Sequence, residues 1–600
     1  MPFQVHFPLF GRAALWYTNN TNHEREGDMR KRLTAVLSLL LAALLLAGCG
    51  MPAPLLTGPL HKTREDYATL TLRPFNRMPY QRPDVEAIRA KADEIKDALN
   101  GGVRFRKLTR MLDEFYSMYY SADTMYTIAD IRNCQDLTNS YYAKEYAFCA
   151  SASYEINQIL EGLLLACGSS GYAERLERSY FWDGFLDSYG PDAEAVLSDE
   201  YIALASRESE LLSEYRSLTA NPSVVIDGRE RDLSEYLAGT DGDENYQALL
   251  AYYDKYNPII GELFIEMVKL RQEEAKLLGY DSYAQMQYAV SFERDFTIAE
   301  GEAFLKSIKR WLVPLAVMLD ETDLRYELKD YEVNEQDLYD VLEAAAVGLG
   351  EDTEEAYRFM RKYKLSDLRE SAKKADMSFQ VYLSDYEAPF LFACPKGNMD
   401  DILTVTHEFG HYVDAYQSYD QYRGVDLSEC FSQAMQYLAL GGLRDSYSDE
   451  IVDTLRLMNL IDSLDTYVQQ ASFAEFEKRV YAEKELTVEK LNELSLALAK
   501  DYGYYDGVSE EYYAMSWIDT PHFFEQPFYV ISYPASAGVA LELYESELKE
   551  SGAGMKQFLA LLDTEDPGLI GAVREAGLHN PLTSTRVREI AAFLKAQLDL

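Results

Sequence analysis

Residues 404–416 read TVTHEFGHYVDAY and set two of the chain's seven histidines four residues apart around a glutamate. An α-helix turns about 100° per residue, so His407 and His411 differ by about 40° and one turn of rise, and their imidazoles converge on one point. Glu408 stands one step round the helix, where its carboxylate faces that point without binding at it. The pattern suits a metal ion held by both histidines, with the glutamate as general base toward a water. HExxH also arises by chance in ordinary helices. The motif therefore constrains the fold through what it lacks, because another part of the chain must supply a third ligand.

Asp414 shares the face, but seven residues beyond His407 it lies about 10 Å up the axis, which suits a partner behind the ligands. A better source is residues 426–440, DLSECFSQAMQYLAL. At helical spacing Leu427, Cys430, Phe431, Ala434 and Leu438 form an apolar face, and Glu429, Ser432, Gln433 and Gln436 form the opposite, polar stripe. Two readings of Glu429 stay open. It completes a D-x-x-E capping box with Asp426, or it is the third ligand, and the two can coexist. Two histidines and one carboxylate leave a fourth position for water, which is the pattern of a catalytic site.

The chain around these segments reads as mainly α-helical. In RPDVEAIRAKADEIKDALNGG, Val85, Ile88, Ala92, Ile95 and Leu99 share one face and Gly101 is a stop. Residues 270–284, LRQEEAKLLGYDSYA, form a second amphipathic segment, ended by Gly279. The exceptions are two short β-prone runs, residues 377–383 and 388–394, joined by Ser-Asp-Tyr-Glu and predicted to form a hairpin beside the motif. A run of turn formers and charges after Arg216 predicts a boundary near residue 240, giving a helical domain over 76–240 and a catalytic domain over 245–600. A chain of 600 residues that is 48% hydrophobic can fill cores in both. Acidic residues outnumber basic ones 100 to 57, a field that repels phosphate backbones and excludes nucleic acid as a partner. A peptide or neutral substrate fits better.

From Met29 the sequence MRKRLTAVLSLLLAALLLAGCG runs from basic to apolar to small residues, the order of an export signal. Its end, Leu46-Ala47-Gly48-Cys49, resembles the bacterial lipobox, which implies lipidation of Cys49 and a membrane-anchored, exported protein. A plain secretory peptide and an N-terminal membrane anchor are the alternatives. On this reading residues 1–28 are an upstream mis-start, 29–49 the signal, and 50–75 a Pro- and Gly-rich tether. Five further cysteines remain, Cys134, Cys149, Cys167, Cys394 and Cys430. Their odd number and sparse spacing favour buried free thiols over a disulfide framework, although a Cys149–Cys167 bridge is permitted outside the cell.

HEFGH followed by E-x-x-S-Q, with LRQEEAKLLGYDSY upstream and PHFFEQPFYVISY downstream, resembles the M3 family of zinc metallopeptidases, the oligoendopeptidase F and thimet oligopeptidase group, over residues 245–590. The resemblance implies one zinc ion per chain on His407, His411 and Glu429, with Glu408 as base. It implies two helical halves flanking a deep substrate channel, and an extended oligopeptide paired with the strand Phe390, Leu391, Phe392, Ala393 and Cys394. His522, Tyr529 and Tyr533 match the family's histidine and two tyrosines near the reacting bond. Two positions depart from the pattern: Gln436 stands where a second glutamate is common, and Pro534 disfavours helical geometry at Tyr533. The resulting expectation is an oligoendopeptidase. A zinc carboxypeptidase with the same ligands and a non-catalytic peptide-binding lipoprotein are the alternatives.

Overall fold

The computed structural model describes residues 69–181, 186, 199–220, 222–237, 242–320, 331–418, 423–444, 447–505 and 509–600. The readings for residues 1–28, for the signal at 29–49 with Cys49, and for most of the tether lie outside them. The described chain is almost wholly helical, with two small sheets.

Val85–Gly101 illustrates why these segments are helices. Asp84 caps it by accepting from the Ala87 N–H at 3.0 Å, and Ile88, Ala92, Ile95 and Leu99 are buried along one stripe. The helix ends one residue beyond the predicted stop, at Gly102, whose φ of +75° favours glycine. Phe105–Gln135 and Ser140–Gly168 join it round a core containing Leu112, Phe115, Ile156 and Leu163. Farther along Phe105–Gln135, Ile128 and Ile131 belong instead to a much larger core.

Leu211, Tyr215, Val224 and Tyr236 also belong to that large core. Packing of the large core thus runs across residue 240, from Leu211 and Tyr236 to Ala248 and Tyr252. The turn formers after Arg216 build a hairpin: β1 (Ser223–Ile226) and β2 (Arg229–Asp232) pair antiparallel. Asp227 and Gly228 between them have φ of +50° and +73°, the pattern of a two-residue hairpin turn.

The predicted second hairpin forms from β4 (Phe379–Leu383) and β5 (Ala388–Phe392), and the short β3 (Ser366–Asp367) adds a third strand. The order is β3-β5-β4, with β3 parallel to β5. This corrects the placement of a peptide on residues 390–394. β5 is central and buried throughout, and the N–H groups of Leu391 and Ala393 already donate to Leu365 and Asp367, each at 3.0 Å. β3 and β4 hold the two outer positions, and β4 is the longer of them. The five described cysteines are free thiols; all are buried except the partly exposed Cys394.

Three helices surround the motif: the motif helix Asp400–Gln417, the glutamate helix Val425–Leu438 and the tyrosine helix Ser532–Lys549. Gly410, inside HEFGH, lets the first two touch backbone to backbone. A Cβ there would lie 2.6 Å from Ser432 Cα and 2.8 Å from the Phe431 carbonyl carbon, distances no real Cβ tolerates. Gly410→Ala is expected to lower unfolding stability by about 1–3 kcal/mol and to weaken metal binding, because the helices must move apart. Denaturant titration with and without metal measures both; wild-type values would show that the close approach is dispensable.

Candidate functional site

The close approach at Gly410 brings the glutamate helix over the histidines. His407 Nε2 and His411 Nε2 lie 3.6 and 3.7 Å from Glu429 Oε2, and the three donors form a compact buried group. These separations are too long for hydrogen bonds, but they suit ligands that each stand about 2.0–2.2 Å from one ion. The Nε2 of His411 is buried with no hydrogen-bond partner. Burial, reinforced by His407, holds its pKa well below the usual imidazole range, so its lone pair is available. The donor set fits a divalent cation.

Each ligand is aimed from behind. The Gln436 carbonyl Oε1 lies 3.2 Å from His407 Nδ1. An amide oxygen only accepts, so the proton sits on Nδ1 and Nε2 faces Glu429. Gln436, a departure from the family pattern, therefore still orients its histidine, but with a neutral group. Behind His411, Ser428 Oγ lies 3.4 Å from Nδ1 and is itself bonded to Asp414. Asp414 also pairs with Arg423 at 2.9 Å and accepts from Ser418 at 2.9 Å. It thus occupies the supporting place predicted for it.

The capping-box reading of Glu429 fails. The glutamate helix starts at Gly424 with no side-chain cap, and Asp426 pairs instead with Arg294, Oδ2 to Nε at 3.0 Å. Glu429 accepts from Ser432 Oγ at 2.9 Å and from Tyr529 Oη at 3.3 Å, and burial pushes its pKa up to about 7. Glu408 is equally buried, and burial plus the nearby Glu429 charge holds its carboxyl well above the usual range, against a bond from the Gln380 backbone N–H of β4.

The three aromatic candidates pack against one another, and Tyr529 reaches Glu429. His522 Nε2 is 3.2 Å from Tyr533 Oη, and the Tyr529 and Tyr533 rings are 5.2 Å apart. Burial lowers the His522 pKa to about 4 and raises both phenols well above their usual value, so all three are neutral near pH 7. Pro534 does not displace Tyr533. The tyrosine helix begins at Ser532, so Pro534 falls in the first turn, where its missing N–H costs no hydrogen bond. Arg294, Gln380 and Ser428 were not found by sequence reasoning. Each acts through contacts with segments remote in sequence, and no spacing signals it.

Comparison with known proteins adds an independent line. Residues 75–185 match the model of the peptidase M3 N-terminal domain and residues 354–564 that of peptidase family M3, together more than half of the chain. An oligoendopeptidase F homolog of Lactococcus lactis is 22% identical over 512 residues, covering 76% of this chain and 83% of its own. The oligopeptidase PepF of Bacillus subtilis is 21% identical over 541 residues, covering 80% and 79%. Among solved structures, a PZ peptidase A with inhibitor superposes with a TM-score of 0.70 at 22% identity, over 88% of this chain and 99% of that one.

The geometry sets a graded expectation for metal analysis. His407→Ala and Glu429→Ala should each lose the bound metal while keeping the helical circular dichroism spectrum. Gln436→Ala should keep the metal with about 10- to 100-fold weaker affinity. Full metal content in Glu429→Ala would move the third ligand elsewhere.

Proposed function

The chain belongs to peptidase family M3 and is a metallopeptidase, and from that premise we propose that it is a zinc-dependent oligoendopeptidase acting on internal bonds of short, extended peptides. The observation that carries this reading is the meeting of Glu429 with His407 and His411, with Glu408 near enough to feel the Glu429 charge and Tyr529 bonded to Glu429. The names of the relatives, oligoendopeptidase and oligopeptidase, support short substrates. So does the burial of His407, Glu408 and Glu429, which suits a passage that admits an extended strand and rejects a folded protein.

When bound at His407, His411 and Glu429, zinc supplies Lewis acidity toward water and the scissile carbonyl. Glu408 takes the proton as water attacks the carbonyl carbon, and gives it to the departing amine as the C–N bond breaks. Its raised pKa, opposed by a cation beside it, suits a group that must hold and then release a proton. Tyr529 and Tyr533, neutral in a dry site, are the donors to the oxygen on which charge develops, Tyr529 turning its one O–H away from Glu429 Oε1 as substrate enters, and His522 orients Tyr533. The substrate backbone is assigned to the outer edge of β4, because the Gln380 N–H of that strand points at Glu408.

The protein is also assigned to the outer face of the cell membrane. Only the basic, apolar and small-residue order of residues 29–49 supports this, with lipid on Cys49. Cys49→Ser, or globomycin, should block processing and release from the signal; a mature chain beginning at another residue would remove the anchor.

The chemistry is tested at Glu408. Glu408→Gln should retain metal and fold but lose about 100-fold or more in kcat, because it removes the base and leaves the ligands intact. Near-normal turnover in that variant would refute Glu408 as the base.

A further inference from the structure

Between His522 and the tyrosine helix, Phe528 has a φ of +69°, a left-handed conformation that a bulky residue adopts only under constraint. Its ring is wedged against Tyr283, Tyr288 and Tyr481, with centroids 6.3, 6.5 and 5.0 Å away. Buried polar side chains hold its backbone at both ends, the Glu477 carboxyl with its pKa pushed up to about 8 by burial and the Arg294 guanidinium. The amide N–H donates to Glu477 Oε1 at 2.8 Å, and the carbonyl accepts from Arg294 Nη1 at 2.9 Å. Arg294 also donates to Ser532 Oγ at 2.9 Å, in the first turn of the tyrosine helix, and pairs with Asp426, one turn before Glu429. On the other side, Arg271 donates to the carbonyls of Phe523 and Phe524, beside His522. The side chains of Arg271, Arg294 and Glu477 are almost wholly buried.

A buried charge and a strained φ are each unfavourable alone, and here they meet on the segment that carries all three aromatic candidates. We propose that Arg271, Arg294 and Glu477 are positioning residues that clamp the backbone of residues 523–532, so that His522, Tyr529 and Tyr533 are held at fixed distances from Glu429. The clamp rests on the reading of the two phenols as donors to the reacting carbonyl. Arg294 is its central member, because one planar guanidinium ties the glutamate helix to the turn and to the tyrosine helix. A lysine keeps the charge but cannot make three contacts in one plane.

A double-mutant cycle on the metal-loaded, full-length protein with a short internally quenched peptide tests both layers. The variant Tyr529→Phe with Tyr533→Phe addresses the donors themselves and should lose about 100-fold in kcat; unchanged turnover there would remove the donors. Arg294→Lys should lower kcat by about 10- to 100-fold with metal content unchanged and KM moved by less than about threefold. In the background lacking both phenols it should cost at most about threefold more, because the groups it aims are gone. Glu477→Gln, which keeps an acceptor for the Phe528 N–H, should retain most activity that Glu477→Ala loses; should Glu477→Ala not fold, the Arg294 cycle decides alone. Losses that multiply in full between Arg294→Lys and the phenol variant, or wild-type kcat in Arg294→Lys, would overturn the clamp.

Discussion

Two carboxylates and two imidazoles share one buried volume, and the carboxylates oppose each other's ionisation. Burial and the Glu429 charge raise the Glu408 pKa, and burial raises that of Glu429. Desolvated charges of this kind are costly unless paired. A divalent cation on His407, His411 and Glu429 resolves the conflict, since it pays for the ligand charge and favours ionised Glu408. The surrounding architecture serves this arrangement: Gly410 permits the backbone contact, Gln436 and Ser428 aim the imidazoles, and Tyr529 occupies the other oxygen of Glu429.

The neighbouring sheet is organised by the same need. β5 is spent on the core, with partners on both sides, whereas β4 lies at an edge and turns the Gln380 N–H toward Glu408. Base and strand edge are thus adjacent by construction. An extended peptide aligned on that edge would pass beside Glu408.

Much of this was legible in the sequence, and the reasons are specific. HEFGH obeys helical geometry so directly that its two histidines could be superposed from spacing alone, and the polar stripe of residues 426–440 contained Glu429, which the family resemblance marked as a ligand. The β4–β5 hairpin showed in its β-prone runs, but β3 is two residues long and carries no detectable period, so β5 was mistaken for an edge. Asp227-Gly228 is a two-residue hairpin turn inside the run of turn formers that predicts a boundary. Arg294 and Glu477 left no trace, because they bond backbone atoms 234 and 51 residues away and nothing in their own neighbourhoods marks them.

The central claim is that one metal on the His407, His411 and Glu429 set drives cleavage inside short peptides. It is tested most directly by incubating the purified protein with peptides blocked at both ends, before chelation, after it, and after return of one equivalent of zinc, and by mapping new termini by mass spectrometry. Internal cleavage that disappears with the metal and returns with zinc is the predicted result. Blocked peptides left intact while free ones are trimmed from an end, or internal cleavage that persists in chelator, would contradict it.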